Sequence, residues 1–307
     1  MSKLRQILNR KKAAKKIRKL TRAMAMIAIA KLQRLRSRTL AAHPYAQALH
    51  EMVAELVTRV GELRHPLLRQ CAAGSSASRV GLLVITSNRG LAGGYSSHVL
   101  RLASDFVRQR EGGGGVVELY VCGKKGLSYF TFHPHPIERQ CDQTENGPTL
   151  AGVKEVSAFL MDRFVSGAVD AVHVAYTEFV SAGTQRPKVL MLLPMTALVG
   201  AAAAADGEPS ASWGRADGAA QYDFSPDPDI LLAELLPLLL EACLFECFLN
   251  AATSENAARR IAMMRATDSA DRISKSLALL YNRARQEHIT SELLDIIGAA
   301  EAVRNRR

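Results

Sequence analysis

Two glycine-punctuated stretches lie where a phosphate loop would sit. In Ser87-Asn88-Arg89-Gly90-Leu91-Ala92-Gly93-Gly94-Tyr95-Ser96-Ser97 the glycines follow a strand-like run and precede a helix-like one. Backbone amides in that setting cradle phosphates. Neither the GxxxxGK[ST] nor the GxGxxG pattern is present, so the stretch reads as a tight turn. Gly123-Lys124-Lys125-Gly126 offers cations but lacks the Ser or Thr that would hold magnesium. Cys243 and Cys247, four apart on an apolar helix, have the spacing to share a metal but no two further ligands nearby, and read as small buried hydrophobes. His133 and His135 flank Pro134 without a carboxylate or thiol spaced for ligation, and read as surface histidines. No Ser/His/Asp or Cys/His set suggests itself. The reading is a chain with no catalytic residue, metal or cofactor of its own.

The elements that would position such residues are unevenly distributed. Of 21 glycines, none precedes Gly61 and one, Gly298, lies beyond residue 218. Both ends therefore lack the residue that most weakens a helix after proline. The N-terminal arm reads as helix from Leu4 to about Ala42, with a stop or sharp kink at His43-Pro44. Its apolar spacing predicts a coiled-coil seam through Ile17, Leu20, Met24 and Ile27, slipping one residue to continue through Ala28, Leu32 and Leu35. The C-terminal arm, from Ile230 to Ile297, has no glycine in 68 residues and a single proline near its start. Unbroken, it would span roughly 100 Å. Met263, Ala266, Ala270, Ile273, Leu277, Leu280 and Ala284 give it a heptad seam.

Between the arms, Arg79 to Thr86, Val116 to Cys122, Ala171 to Tyr176 and Lys188 to Leu193 read as strands. Helical patterns fall near Ser97 to Arg110 and Thr149 to Val165. The alternation predicts an α/β layer with a mostly parallel sheet. The expected fold is α+α/β, a long antiparallel coiled coil of the two terminal helices with a central Rossmann-like α/β domain. The expected boundaries are 1–60 for the N-terminal coil helix, 78–200 for the α/β domain, 201–224 for a loop and 225–300 for the C-terminal coil helix. Residues 201–221, rich in Ala, Gly and Ser, read as disordered.

Composition sharpens this. The 307 residues are 48% apolar and 22% charged, which excludes wholesale disorder. The most apolar run, Ile230 to Leu249, carries Glu234, Glu241, Glu246 and Pro237 and does not read as a membrane span. Five unclustered cysteines point to a reducing compartment. Fourteen of the 40 Lys and Arg residues fall before Glu51, the first acid, leaving 26 bases against 29 acids elsewhere. An uncompensated basic arm repels itself. It fits an acidic protein surface or nucleic acid about equally well, although no aromatic residue precedes Tyr45 to stack on bases. A targeting peptide would be serine-rich and cleaved, and would not carry a seam matching the other end of the chain.

The arm LTRAMAMIAIAKLQRLRSRT resembles the N-terminal signature of the gamma subunit of F-type ATP synthases. SENAARRIAMMRATDSADRISKSLALLYNRARQEHITSELLDIIGAAEAV is similar to that family's C-terminal signature. ITSNRGLAGG, CGKKG and QRPKVLMLLPM match its middle, so the resemblance covers nearly the whole chain.

The resemblance implies a rotor shaft coupling an ion-driven c-ring to ATP synthesis or hydrolysis in a ring of three alpha and three beta subunits. The α/β domain would stand at the foot, against the epsilon subunit and the c-ring. By motif, Arg285 and Gln286 would touch beta loops. Met24, Arg259, Gln286 and Thr290 would set coupling efficiency, and Arg22 and Lys31 would face acidic beta loops. The implied location is the cytoplasmic face of a bacterial inner membrane, peripheral and attached through the c-ring, with no nucleic-acid partner.

Departures from the pattern include Asn88 for Asp, Ala92 for Cys, Ser96 for Asn, and Ala25 for Lys or Glu. The tail also carries Glu301, Arg304, Arg306 and Arg307 after its apolar stretch. They would suit a divergent branch, such as an alternative sodium- or proton-translocating ATPase.

Overall fold

A seam of small and branched residues repeating at intervals of 4 and 3 organises the first helix. The computed structural model describes residues 3–60, 65–69, 79–133, 135–141, 147–195 and 228–304. The expected loop over 201–224 and the side chains of the charged tail fall outside the described residues. Helix α1 spans Lys3–Val60. From Thr21 its inward positions are Ala25, Ala28, Leu32, Leu35, Thr39, Ala42, Ala46, Leu49, Val53 and Leu56.

Two expectations are corrected here. The helix does not stop at Pro44, which lies inside it. Proline forfeits one ladder bond and clashes with the preceding turn, at about 3 kcal/mol. Beyond it, Leu49, Val53 and Leu56 are buried. Each contributes about 1.5–3 kcal/mol, so burial outweighs the break.

The seam phase also differs. Ile17, Leu20 and Ile27 are 52%, 58% and 58% exposed, and the helix shows no slip, because Ala14, Thr21, Ala25 and Ala28 face inward instead. A hydrophobicity template selects the largest apolar side chains, whereas a close helix pair selects the smallest.

The middle of the chain supplies five strands: β1 Arg79–Ile85, β2 Val116–Cys122, β3 Ile137–Cys141, β4 Ala171–Phe179 and β5 Gln185–Leu193. Their order is β3-β2-β1-β4-β5. The first four run parallel, and β5 returns antiparallel to β4. Helices α2 (Tyr95–Gly112), α3 (Lys124–Phe132) and α4 (Leu150–Val165) connect them, and α5 (Pro228–Arg304) closes the chain. Alternating residues divide the sheet into two faces. Leu82, Val84, Val121 and Ala175 pack with Val99, Ala103 and Phe130 of α2 and α3. Leu83, Ile85, Tyr120 and Val174 face the other way, packing with α4, with Leu49 and Val53 of α1 and with Leu236 to Ala251 of α5.

Two elements have no counterpart in the sequence reading. Helix α3, KKGLSYFTF, is built from glycine, aromatic and β-branched residues of weak helix propensity. Strand β3, IERQC, is short and mostly polar, as an edge strand tends to be.

The chain divides into two compact units, Met1–Ile29 with Arg259–Arg307, and Ala30–Ala258. Helices α1 and α5 contribute to both.

Candidate functional site

In the unit formed by the first 29 residues and the last 49, α1 and α5 pair antiparallel. Lys11 Nζ lies 5.4 Å above the Tyr281 ring. Arg18 Nη1 meets Asp271 Oδ1 at 2.6 Å. Thr267 Oγ1 donates to Thr21 Oγ1 at 2.7 Å, and Thr21 in turn donates to the Ile17 carbonyl. As the α1 number rises, the α5 number falls.

On α5 the inward residues are Met263, Thr267, Ala270, Ser274, Leu277, Tyr281 and Ala284. The expected seam shared only Met263, Ala270, Leu277 and Ala284 with this set. Ile273 and Leu280 are 54% and 50% exposed. The sequence reading missed Thr267 and Ser274 because they are polar. Threonine suits the interface, since Thr267 Oγ1 also lies 2.8 Å from the Met263 carbonyl one turn back. Asp271 is further bonded by Lys275 at 3.0 Å. Lys275 first and Arg18 second hold its carboxyl below the usual carboxylate range.

The residues singled out from the sequence fall into two groups within this unit. Arg22 is exposed on α1, two residues before half-buried Met24. Arg259 is half-buried on α5. Arg285, Gln286 and Thr290 lie exposed further along α5, with Thr290 Oγ1 donating to the Gln286 carbonyl at 3.0 Å. By the antiparallel register Met24 stands level with about residue 266. The two groups are therefore about 30 Å apart along the coil. Lys31 is half-buried and belongs to the other unit.

In that second unit the glycine loops have structural partners. Asn88 Oδ1, the Ser87 carbonyl and Thr86 Oγ1 accept the backbone N–H groups of Lys124, Lys125 and Gly126 at 3.1, 3.1 and 2.9 Å. The first three amides of α3, which would cradle a phosphate, are thus taken up by the loop after β1. Gly123 has φ +97°, and a Cβ at Gly126 would come within 2.8 Å of Thr86 Oγ1 and Val121 Cγ1. The two glycines of CGKKG follow from this close approach.

Cys243 and Cys247 are both buried in the core. Cys243 Sγ lies 3.3 Å from His50 Nε2 of α1, and burial pushes its thiol up to about 12. Burial raises Cys247 as well and lowers His50, so the Cys243–His50 pair is neutral. His133 is exposed, stacked on Tyr129 with ring centroids 4.3 Å apart. His135 faces Glu111 at 3.8 Å. Among the described residues no group of three or more His, Cys, Asp or Glu side chains could hold a metal, and no helix is long and apolar enough to cross a membrane.

A family model described as ATP synthase matches residues 3–303. The chain is 35% identical over 303 residues to the ATP synthase gamma chain of Rhodopirellula baltica, covering 99% of each. It is 36% identical over 304 residues to that of a Nocardioides species, covering 98% of this chain and 96% of the relative. Among solved structures it is similar to a chain of the Euglena gracilis mitochondrial ATP synthase described as OSCP/F1/c-ring. The TM-score there is 0.64 at 17% identity, covering 98% of this chain and 94% of that one. A second match is the Tetrahymena thermophila mitochondrial ATP synthase central stalk/c-ring, with a TM-score of 0.58 at 19% identity, covering 80% of this chain and 99% of that one. Nothing in these matches supports the nucleic-acid reading of the basic arm.

Proposed function

The chain belongs to the gamma-chain family of F-type ATP synthases, and from that premise we infer how its residues serve as the central rotor shaft of such an enzyme. The coil of α1 and α5 turns within an alpha–beta catalytic head, and the c-ring drives it. The observation that carries this reading is the pairing of the two chain ends into one antiparallel coil whose exposed surface is strongly basic on α1.

The chain contributes no catalytic residue. Its task is to make contacts with one beta subunit that it withholds from another. Shifting a two-state site from 1:99 to 99:1 takes about 5.5 kcal/mol of differential contact. A charge-assisted hydrogen bond contributes about 1.5–3 kcal/mol, so a few suffice. Arg285 and Gln286 make such contacts with beta loops. Met24, Arg259 and Thr290 tune the coupling, and Arg22 and Lys31 face acidic beta loops. Exposure of Arg285, Gln286 and Arg22 supports these roles.

The α/β unit engages the epsilon subunit and the c-ring. That ring holds the chain at the cytoplasmic face of a bacterial inner membrane, where it serves proton or sodium translocation. The 35% and 36% identity to the gamma chains of Rhodopirellula baltica and a Nocardioides species supports this placement. The test is reconstitution with cognate alpha and beta subunits and, for pumping, with the c-ring and the rest of the membrane sector in vesicles. The complex should hydrolyse ATP while the isolated chain does not, and Arg285→Ala with Gln286→Ala should weaken ATP-driven pumping by about 10-fold or more. Turnover by the isolated chain, or pumping unaltered by the double variant, would count against it.

A further inference from the structure

Two cysteines stand side by side in the sheet. In the parallel pairing of β2 with β3, Cys122 and Cys141 are partners in register. Both belong to the core cluster on the α4 and α5 side, so their side chains leave the same face of the sheet. Both are thiols. Neighbouring strands run about 4.8 Å apart. That spacing falls inside the Cα separation of about 4.4–6.8 Å found in disulfides, whose Cβ atoms approach to about 3.8 Å. Strand β3 is five residues long, lies at the sheet edge and shifts register against β2 between Leu119 and Tyr120. Held by a neighbouring strand on one side only, it can close the remaining fraction of an ångström.

The two thiols differ in access. Cys141 lines an open cavity of about 250 Å³ between β3 and the first turns of α4, with Phe248 of α5 in its wall. Cys122, with no exposed surface, lies beside it on β2 and away from the cavity. Thr149, the N-cap of α4, and Gly152, whose N–H donates to the Thr149 hydroxyl, line the same cavity, which therefore meets the positive end of that helix. Arg139 lines it too, paired with Glu155 at 2.7 Å. The thiolate is the reactive form of cysteine, and helix N-termini and arginines are settings that favour it. A reachable cysteine with a second one beside it is the arrangement that turns oxidation by a peroxide into a reversible disulfide. Cys243 and Cys247 lack this setting. Neither lines the cavity, and burial pushes the Cys243 thiol up to about 12.

We propose that Cys141 and Cys122 form a peroxide-responsive thiol pair, in which Cys141 reacts with a hydroperoxide entering the cavity and Cys122 resolves the product as a disulfide within the sheet. The Cys141 thiolate attacks one peroxide oxygen. The O–O bond breaks, the sulfur is oxidised to a sulfenic acid, and the departing oxygen takes up a proton to leave as water or an alcohol. The Cys122 sulfur then attacks the Cys141 sulfur. The S–O bond breaks, and the hydroxyl leaves as water with the Cys122 proton. Two electrons pass from the thiol pair to the peroxide. The product fastens edge strand β3 to β2, and a thiol reductant restores both cysteines. The proposal does not depend on the rotor-shaft reading.

The test exposes the full chain, assembled with alpha and beta subunits, to hydrogen peroxide. Remaining thiols are then blocked with N-ethylmaleimide under denaturing conditions, and unreduced peptides are mapped by mass spectrometry. The expected outcome is a peptide pair linked through Cys122 and Cys141, formed at least about 10-fold faster than any oxidation of Cys243 or Cys247 and lost on adding dithiothreitol. In Cys122→Ala, dimedone should trap a sulfenic acid at Cys141, and in Cys141→Ala the Cys122 thiol should stay open to alkylation. Full alkylation of both cysteines after peroxide, a disulfide from either one to Cys71, irreversible oxidation of Cys141 without a disulfide, or dimedone on Cys122 in place of Cys141 would each overturn the proposal. None of these outcomes touches the shaft reading.

Discussion

The hydroxyl pair of Thr21 and Thr267 shows how a polar side chain can serve a helix seam better than a larger apolar one. Thr267 donates to Thr21, and Thr21 donates to the Ile17 carbonyl one turn back, so the pair is bonded across the helices and along α1. Thr267→Val removes a donor and leaves buried Thr21 without its cross-helix bond. It should cost about 1 kcal/mol, read as a lowered urea midpoint at unchanged slope.

His173 gives a second residue-scale prediction. It is 5% exposed on β4 beside Phe106, with its Nδ1 unpartnered among the described residues. Burial first, and Arg110 second, hold its pKa down at about 4. A lowered histidine pKa means that the unfolded chain binds the proton more readily. Stability is therefore complete above about pH 6.5 and declines as pH falls toward 4, by roughly 3 kcal/mol in all. Denaturation curves between pH 7.5 and 4 should show this loss, and His173→Phe should flatten most of it.

At the scale of elements, two residues depend on partners distant from their own turn. Pro44 lies inside α1, held there by the buried line from Ala46 to Leu56. Pro44→Ala restores a donor to that turn and should raise the urea midpoint by an amount worth about 1–3 kcal/mol. Asn88 caps α3 from a neighbouring loop. Asn88→Ala should cost about 1 kcal/mol, and Asn88→Asp should retain the cap.

What was legible in the sequence follows the same logic. Val116 to Cys122 stood out because a β-branched and apolar run, interrupted only by Glu118, marks a buried parallel strand. The glycine-free ends declared long helices. Pro44 masked the length of α1 because a local rule was overridden by packing far along the chain. Helix α3 stayed hidden because its N-terminal partners, Thr86 to Asn88, lie 36 or more residues away. The antiparallel coil was legible from matching heptads. Its inward face was not, because Ile17, Leu20, Ile273 and Leu280 advertise a seam more strongly than Thr21, Ala25, Thr267 and Ser274.

For the whole molecule, the gamma-chain reading joins the coil and the α/β unit in one mechanical task. In the proposed arrangement, with Arg22, Arg285 and half-buried Met24 turned toward beta subunits, new charge at Met24 is poorly tolerated. Met24→Lys should impair ATP-driven pumping while leaving the ATPase of the assembled head largely intact. Unchanged pumping would place Met24 away from the head.

The central claim is that this chain turns. The most direct measurement fixes the alpha–beta head to a surface and attaches a bead to the α/β unit at exposed Val180. Bead orientation is then followed as ATP is added. The account predicts one-way rotation with three dwell positions in each turn, one for each beta subunit. ATP turnover with the bead merely fluctuating about a fixed angle would contradict it.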